Sequence, residues 1–183
     1  MPKNILVITG SPRKNSNSDM MANSFIGGAK AAGHTVTKFE AAKKKITGCI
    51  ACDTCWSKGT ACTFSVGFTE LEPLLEAADV IVFASPLYWF GMSSQIKAAI
   101  DKLNAYSVDW CKRPLKIKES VMLICGALDE QYMFKGIIET YKSMGKFMNW
   151  EDKGVLTIPN VFAKGDIAKT DALIKAEHLG KAI

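Results

Sequence analysis

Two short stretches of this sequence hold residues whose types and spacing could do chemistry. Gly10-Ser11-Pro12-Arg13-Lys14-Asn15-Ser16-Asn17-Ser18 follows an apolar run and leads into a helical pattern. Its hydroxyls on Ser11, Ser16 and Ser18 and the Asn17 amide are hydrogen-bond donors, and Arg13 adds a charge-assisted one. A helix N-terminus supplies free backbone N–H groups and the positive end of the macrodipole, so the stretch reads as a phosphate cradle. It has neither the G-x-G-x-x-G of dinucleotide folds nor the G-x-x-x-x-G-K-[ST] of nucleoside triphosphatases, which favours a terminal monophosphate. The second stretch is Cys49, Cys52, Cys55 and Cys62, spaced C-x2-C-x2-C-x6-C. Thiols at that spacing can converge on one centre, the ligand pattern of a [4Fe–4S] cluster. Zinc sites more often pair two C-x2-C hooks across a longer spacer.

The elements that must carry these groups alternate. Asn4–Thr9 is a continuous apolar run that ends at Gly10, as a strand buried on both faces would. Apolar residues recur at helical spacing over 19–32 and Gly33 closes that segment; Thr35–Glu40 alternates like a short strand. A helix over 68–78, with Thr69 as cap, precedes a second buried strand at 80–84. Next come a helix over 94–103 capped by Ser93, a buried strand at 120–125, an amphipathic helix over 132–147, a strand at 155–158 and a helix over 167–180. Buried strands alternating with helices imply an α/β fold: a doubly wound five-stranded parallel sheet in the order 2-1-3-4-5. Ligands of such sheets sit outside the carboxyl ends of the strands, where the first stretch falls.

GSPRKNSNS after the first strand, together with SPLYWFGMSSQIKAAIDKL from Ser85 onward, resembles the flavodoxin-like NADPH-dependent FMN reductase family over at least residues 3–103. The resemblance implies one flavodoxin-like FMN-binding domain over 1–183, with a cysteine-rich loop at about 46–66. It implies that Ser11, Arg13, Ser16, Asn17 and Ser18 hold the FMN phosphate, and that Pro86, Leu87, Tyr88, Trp89, Phe90 and Gly91 border the isoalloxazine ring. Three consecutive aromatics in a loop cannot all face a core, and they offer a flat ring an apolar wall. The loop Gly126-Ala127-Leu128-Asp129, after the third buried strand, is placed to touch the ring edge. The compact cysteine spacing also resembles the iron–sulfur flavoprotein branch, although Ser65-Val66-Gly67-Phe68 departs from the acidic pair common there. Three occupancies stay open for Cys49, Cys52, Cys55 and Cys62: a cluster, free or disulfide-forming thiols beside the flavin, or zinc. Trp56 would shield the site in any of them.

The expected function is an FMN-dependent NAD(P)H oxidoreductase passing electrons to a small acceptor such as a quinone, flavin, metal or nitro compound. The alternative is an electron carrier with FMN and a [4Fe–4S] cluster, fed by a ferredoxin-type donor. By analogy a homodimer is expected, or a tetramer. The two histidines, His34 and His178, lie far apart in sequence, which speaks against a His-based triad or a zinc enzyme. Cys125 reads as a core residue, Cys111 as a bystander, and Asp101 and Lys102 as solvated helix-end charges. The net charge of +5 comes almost wholly from dispersed lysines, unlike the arginine and aromatic patches of nucleic-acid binders. No apolar run nears the roughly 20 residues of a membrane helix, and no export signal opens the chain, so a cytoplasmic location is expected.

Overall fold

The computed structural model describes residues 1–183. Its elements are β1 (Asn4–Thr9), α1 (Asn17–Ala31), β2 (Thr35–Glu40), α2 (Thr54–Lys58), α3 (Val66–Ala77), β3 (Val80–Tyr88) and β4 (Gly91–Met92). There follow α4 (Ser94–Ile100), β5 (Glu119–Cys125), α5 (Lys135–Met148), β6 (Glu151–Ile158) and α6 (Ala172–Lys181). The strands pair in the order β2-β1-β3-β5-β6, all parallel, so the five long strands run 2-1-3-4-5 as expected. A sixth, two-residue strand, β4, turns back antiparallel on the end of β3.

The apolar strands are explained by burial on both faces. Ile5 and Val7 of β1, Val80, Val82 and Ala84 of β3, and Val121 and Leu123 of β5 pack under α1 and α6. Their neighbours Leu6, Ile8, Ile81, Phe83, Met122 and Ile124 face the other way, under α3, α4 and α5. The period-2 alternation of strand side chains therefore feeds two cores from the same residues, leaving no polar face to interrupt the runs. On the first side α1 and α6 press together backbone to backbone. A Cβ at Gly28 would strike the Glu177 carbonyl, and one at Gly180 the Phe25 carbonyl.

Element boundaries differ from the sequence expectation at several ends. Helix α1 begins at Asn17, because the Ser16 hydroxyl caps it by accepting from the Asp19 amide at 3.2 Å. Thr69 is not a cap. Helix α3 starts at Val66, and the Thr69 hydroxyl donates within the helix to the Val66 carbonyl. The helix expected over 132–147 opens as a 3₁₀ turn, Gln131–Phe134, before α5; that over 94–103 is α4 continued by a 3₁₀ stretch, Asp101–Tyr106. The last helix splits likewise into Asp166–Lys169 and α6. Strand β6 begins at Glu151 rather than 155; as an edge strand it keeps its polar Glu151 and Asp152 in solvent, with a register shift opposite Ser120 and Val121. Helix α2, inside the cysteine loop, has no sequence signal of its own. No helix is long and apolar enough to cross a membrane.

Candidate cofactor cleft and cysteine recess

The carboxyl ends of β1, β3 and β5 open on a cleft of about 230 Å3. Ser11, Arg13, Ser16, Asn17 and Ser18 line one end of it, and Pro86, Leu87, Tyr88 and Gly126 the other. Next to it lies an apolar pocket of about 330 Å3, lined by Trp89, Phe90, Leu128, Met133 and Phe134 and sharing Leu87, Gly126 and Ala127 with the cleft. Gly91 is absent from both linings; its place is in the hairpin, opposite Tyr88. The sequence reading missed Val161 and Phe162 in the cleft and Met133 and Phe134 in the pocket. Only the general rule that every strand's carboxyl end faces the site could have found them.

The serine-rich end is built by the start of α1. Ser16 and Ser18 are buried with their hydroxyls 3.2 Å apart, above helix N–H groups that have no partner within the helix. Asn17 plays a different part from the phosphate donor expected of it. Its amide nitrogen donates to the Ala163 carbonyl at 2.9 Å, and its oxygen accepts from the Gly165 amide at 2.9 Å and the Ile167 amide at 3.4 Å. It clamps the loop after β6, including Phe162, over the cleft. Arg13 is exposed at the mouth, its backbone amide donating to the Ser11 hydroxyl at 3.3 Å.

A buried serine pair ties this end to the next. The Ser93 hydroxyl donates to the Gly10 carbonyl at 2.6 Å rather than capping α4, and the Ser93 amide donates to the Ser85 hydroxyl at 3.0 Å. Gly10 must be a glycine here: a Cβ would stand 2.5 Å from the Ser93 hydroxyl and 2.9 Å from Ile96 Cβ. Between Ser85 and Ser93 the chain makes a two-residue hairpin with Trp89 at φ 45° and Phe90 at φ 64°. Such tight hairpins need positive φ at both tip residues and usually take Asn-Gly. Holding two aromatics there costs of order 1–3 kcal/mol each. Trp89 is 94% exposed, so packing within this chain does not account for the strain.

The four clustered cysteines line one recess beneath the 47–64 loop, with Cys49 and Cys52 exposed and Cys55 and Cys62 half-buried. The loop curls through left-handed positions at Ala51 and Asp53. No three Cys, His, Asp or Glu side chains of this metal-free structure are gathered around one point. The set around the recess is all thiol and four in number, which suits an iron–sulfur cluster in chemistry. Cys52 has its thiol pKa lowered, chiefly by hydrogen bonding from Thr54, while burial raises that of Cys55. Cys125 is a core residue as expected, its thiol pushed up to about 12 by burial. Trp56 does not shield the recess. Its indole donates to the Asn104 carbonyl at 3.0 Å, and its ring packs edge-on to Trp110 at 6.4 Å on the far side of the loop. Lys102 corrects the expectation of a solvated charge: it is only 4% exposed and lines the recess.

A family model described as NADPH-dependent FMN reductase matches residues 3–133, which include both the β1 loop and the β3 hairpin. The chain belongs to the NADPH-dependent FMN reductase family. Within it, similarity runs in two directions. An iron–sulfur flavoprotein of Archaeoglobus fulgidus is 35% identical over 99 residues, 54% of this chain and 44% of that protein. YwqN of Bacillus subtilis, whose name proposes an NAD(P)H-dependent FMN-containing oxidoreductase, is 22% identical over 154 residues, 82% of this chain and 81% of that one. The chain spans about half the length of the iron–sulfur flavoproteins it matches. Among solved structures, an NAD(P)H:quinone oxidoreductase from Methanothermobacter marburgensis superposes with a TM-score of 0.78 at 16% identity, covering 99% of this chain and 96% of that one. At that identity the likeness is one of fold.

Proposed function

We propose that this family member is an FMN-dependent NAD(P)H oxidoreductase, acting as a single domain over 1–183, that delivers electrons to a small acceptor. The observation that carries the reading is the two-ended cleft: hydroxyls, helix N–H groups and Arg13 at one end, an apolar aromatic wall at the other. That polarity suits a phosphorylated flat ring and little else of similar size. FMN, when bound, supplies the hydride and electron transfer. The chain's own residues bind and orient. Ser11, Ser16 and Ser18 face the phosphate end, and Arg13 closes its mouth with a cation. Asn17 acts indirectly, holding the loop after β6 in place. Leu87 and Gly126, shared by cleft and pocket, border the ring, and Trp89 and Phe90 wall the space a second planar molecule would enter. No charged side chain lines that pocket, so the acceptor's reacting part is apolar and flat, as in a quinone. In this reading two copies pair across the exposed hairpin tips.

Anaerobic addition of NADPH or NADH to the FMN-loaded protein tests the reading. The yellow absorbance should bleach with at least one pyridine nucleotide and return on adding a quinone. A flavin that stays oxidised with both would overturn it.

A second reading is favoured by a separate observation, the single recess shared by Cys49, Cys52, Cys55 and Cys62, together with the names of the iron–sulfur flavoprotein relatives. Here the four thiols hold a [4Fe–4S] cluster and electrons arrive singly from a ferredoxin-type donor. Brown colour and stoichiometric iron in anaerobically purified protein would favour it; a plain flavin spectrum would not.

A further inference from the structure

Lys102 has no part in the flavin cleft; it is buried at the end of the α4 segment with its ammonium turned into the cysteine recess. Its contacts are two and long: the Gly48 carbonyl at 3.4 Å and the Cys62 sulfur at 3.5 Å. It joins none of the chain's ion pairs, although Asp53 stands on the same lining. Lys97, on the exposed side of α4, does find a carboxylate in Asp101. A buried ammonium without a counter-charge is costly, and proteins retain one where an anion completes it. The protein groups around this one offer no formal negative charge in contact except through sulfur.

We propose that Lys102 is the counter-charge of the cysteine recess. It positions Cys62 and offsets the net negative charge of a thiolate-ligated iron–sulfur cluster, raising the cluster's reduction potential. The inference rests on the second reading above, that the four cysteines hold such a cluster. Its physical basis is that net charge and hydrogen bonds to ligand sulfur are two of the levers that set cluster potentials. Removing a cation in contact with one ligand sulfur makes adding an electron harder. Lys102 is a positioning residue here, acting through Cys62.

The test compares the wild type with Lys102→Met, Lys102→Gln and Lys102→Arg after anaerobic reconstitution with iron and sulfide. Three quantities are read: iron per chain, the midpoint potential from a spectroscopically monitored redox titration, and the rate of iron loss to a chelator. The wild type should take up about four irons per chain. Lys102→Met and Lys102→Gln should titrate at lower potential and lose iron at least tenfold faster, and Lys102→Arg, which keeps the charge, should restore both. Lys102→Gln keeps hydrogen-bond donors without charge, so it separates charge from simple tethering of Gly48. Bound FMN and the melting temperature report folding; if the Met variant does not fold, the Gln and Arg pair decides. Equal potentials and rates across the series would overturn the proposal, as would iron loss in every variant, Arg included, with no change in potential. A wild type that takes up no iron would remove the cluster reading and this inference together, leaving the flavin cleft untouched.

Discussion

At the scale of single residues, environment separates groups that look alike in the sequence. Three of the six cysteines differ clearly in reactivity. Cys52 is exposed with its pKa lowered by Thr54, Cys55 is raised by burial, and Cys125 is pushed up to about 12 inside the sheet. Thiolate is the attacking form, so alkylation tracks these differences. Brief iodoacetamide treatment of the apoprotein near pH 7, read by peptide mass spectrometry, should label Cys52 ahead of Cys55 and leave Cys125 untouched; early labelling of Cys125 would contradict the packing of β5. That the serines and Arg13 of the first loop line one cleft was legible because small hydroxyls and a cation follow a buried strand at its carboxyl end. Asn17 was misread because an amide that can donate to phosphate can equally bridge two loops, and its partners lie 146 to 150 residues away. Lys102 was illegible for a related cause. Only closure of the 47–64 loop buries it, and no local pattern signals that closure.

At the scale of elements, buried strands were legible from their unbroken apolar runs, and the strand order followed from strand–helix alternation. Helix ends were not, because caps and 3₁₀ turns depend on one hydrogen bond more or less, as at Ser16 and Ser93. The hairpin joining β3 to β4 was read as a loop, since Trp-Phe is a poor sequence for a turn that needs positive φ twice. That mismatch between local preference and adopted shape marks a functional constraint. Replacing Trp89 and Phe90 together by Asn and Gly should relieve about 2–6 kcal/mol of strain and raise the melting temperature. The same variant should lose the pocket wall and show a several-fold higher KM for a quinone acceptor. A variant no more stable than the wild type would show that the tip is not strained.

At the scale of the whole molecule, one sheet feeds two cores and leaves its carboxyl edge to carry the site. Stability should therefore follow the buried ionisable groups beneath both faces. Burial raises the pKa of Cys125 from its ordinary 9.0 to about 12 and pushes Tyr106 and Tyr141 up as well. A folded-state pKa above the unfolded one adds stability that is complete below the unfolded value and vanishes as pH climbs through the folded one. The melting temperature should hold to about pH 9 and fall steadily toward pH 12, and a flat profile across that range would refute the burial of these groups. The central claim, that the monophosphate of FMN is anchored where α1 begins, is tested most directly by fluorescence titration of the apoprotein with FMN and, in parallel, with riboflavin. The structure predicts saturable FMN binding at one per chain, riboflavin weaker by at least about tenfold, and an Arg13→Glu variant in which FMN falls toward the riboflavin level. Equal affinity for the two flavins, or no saturable uptake of either, would contradict it.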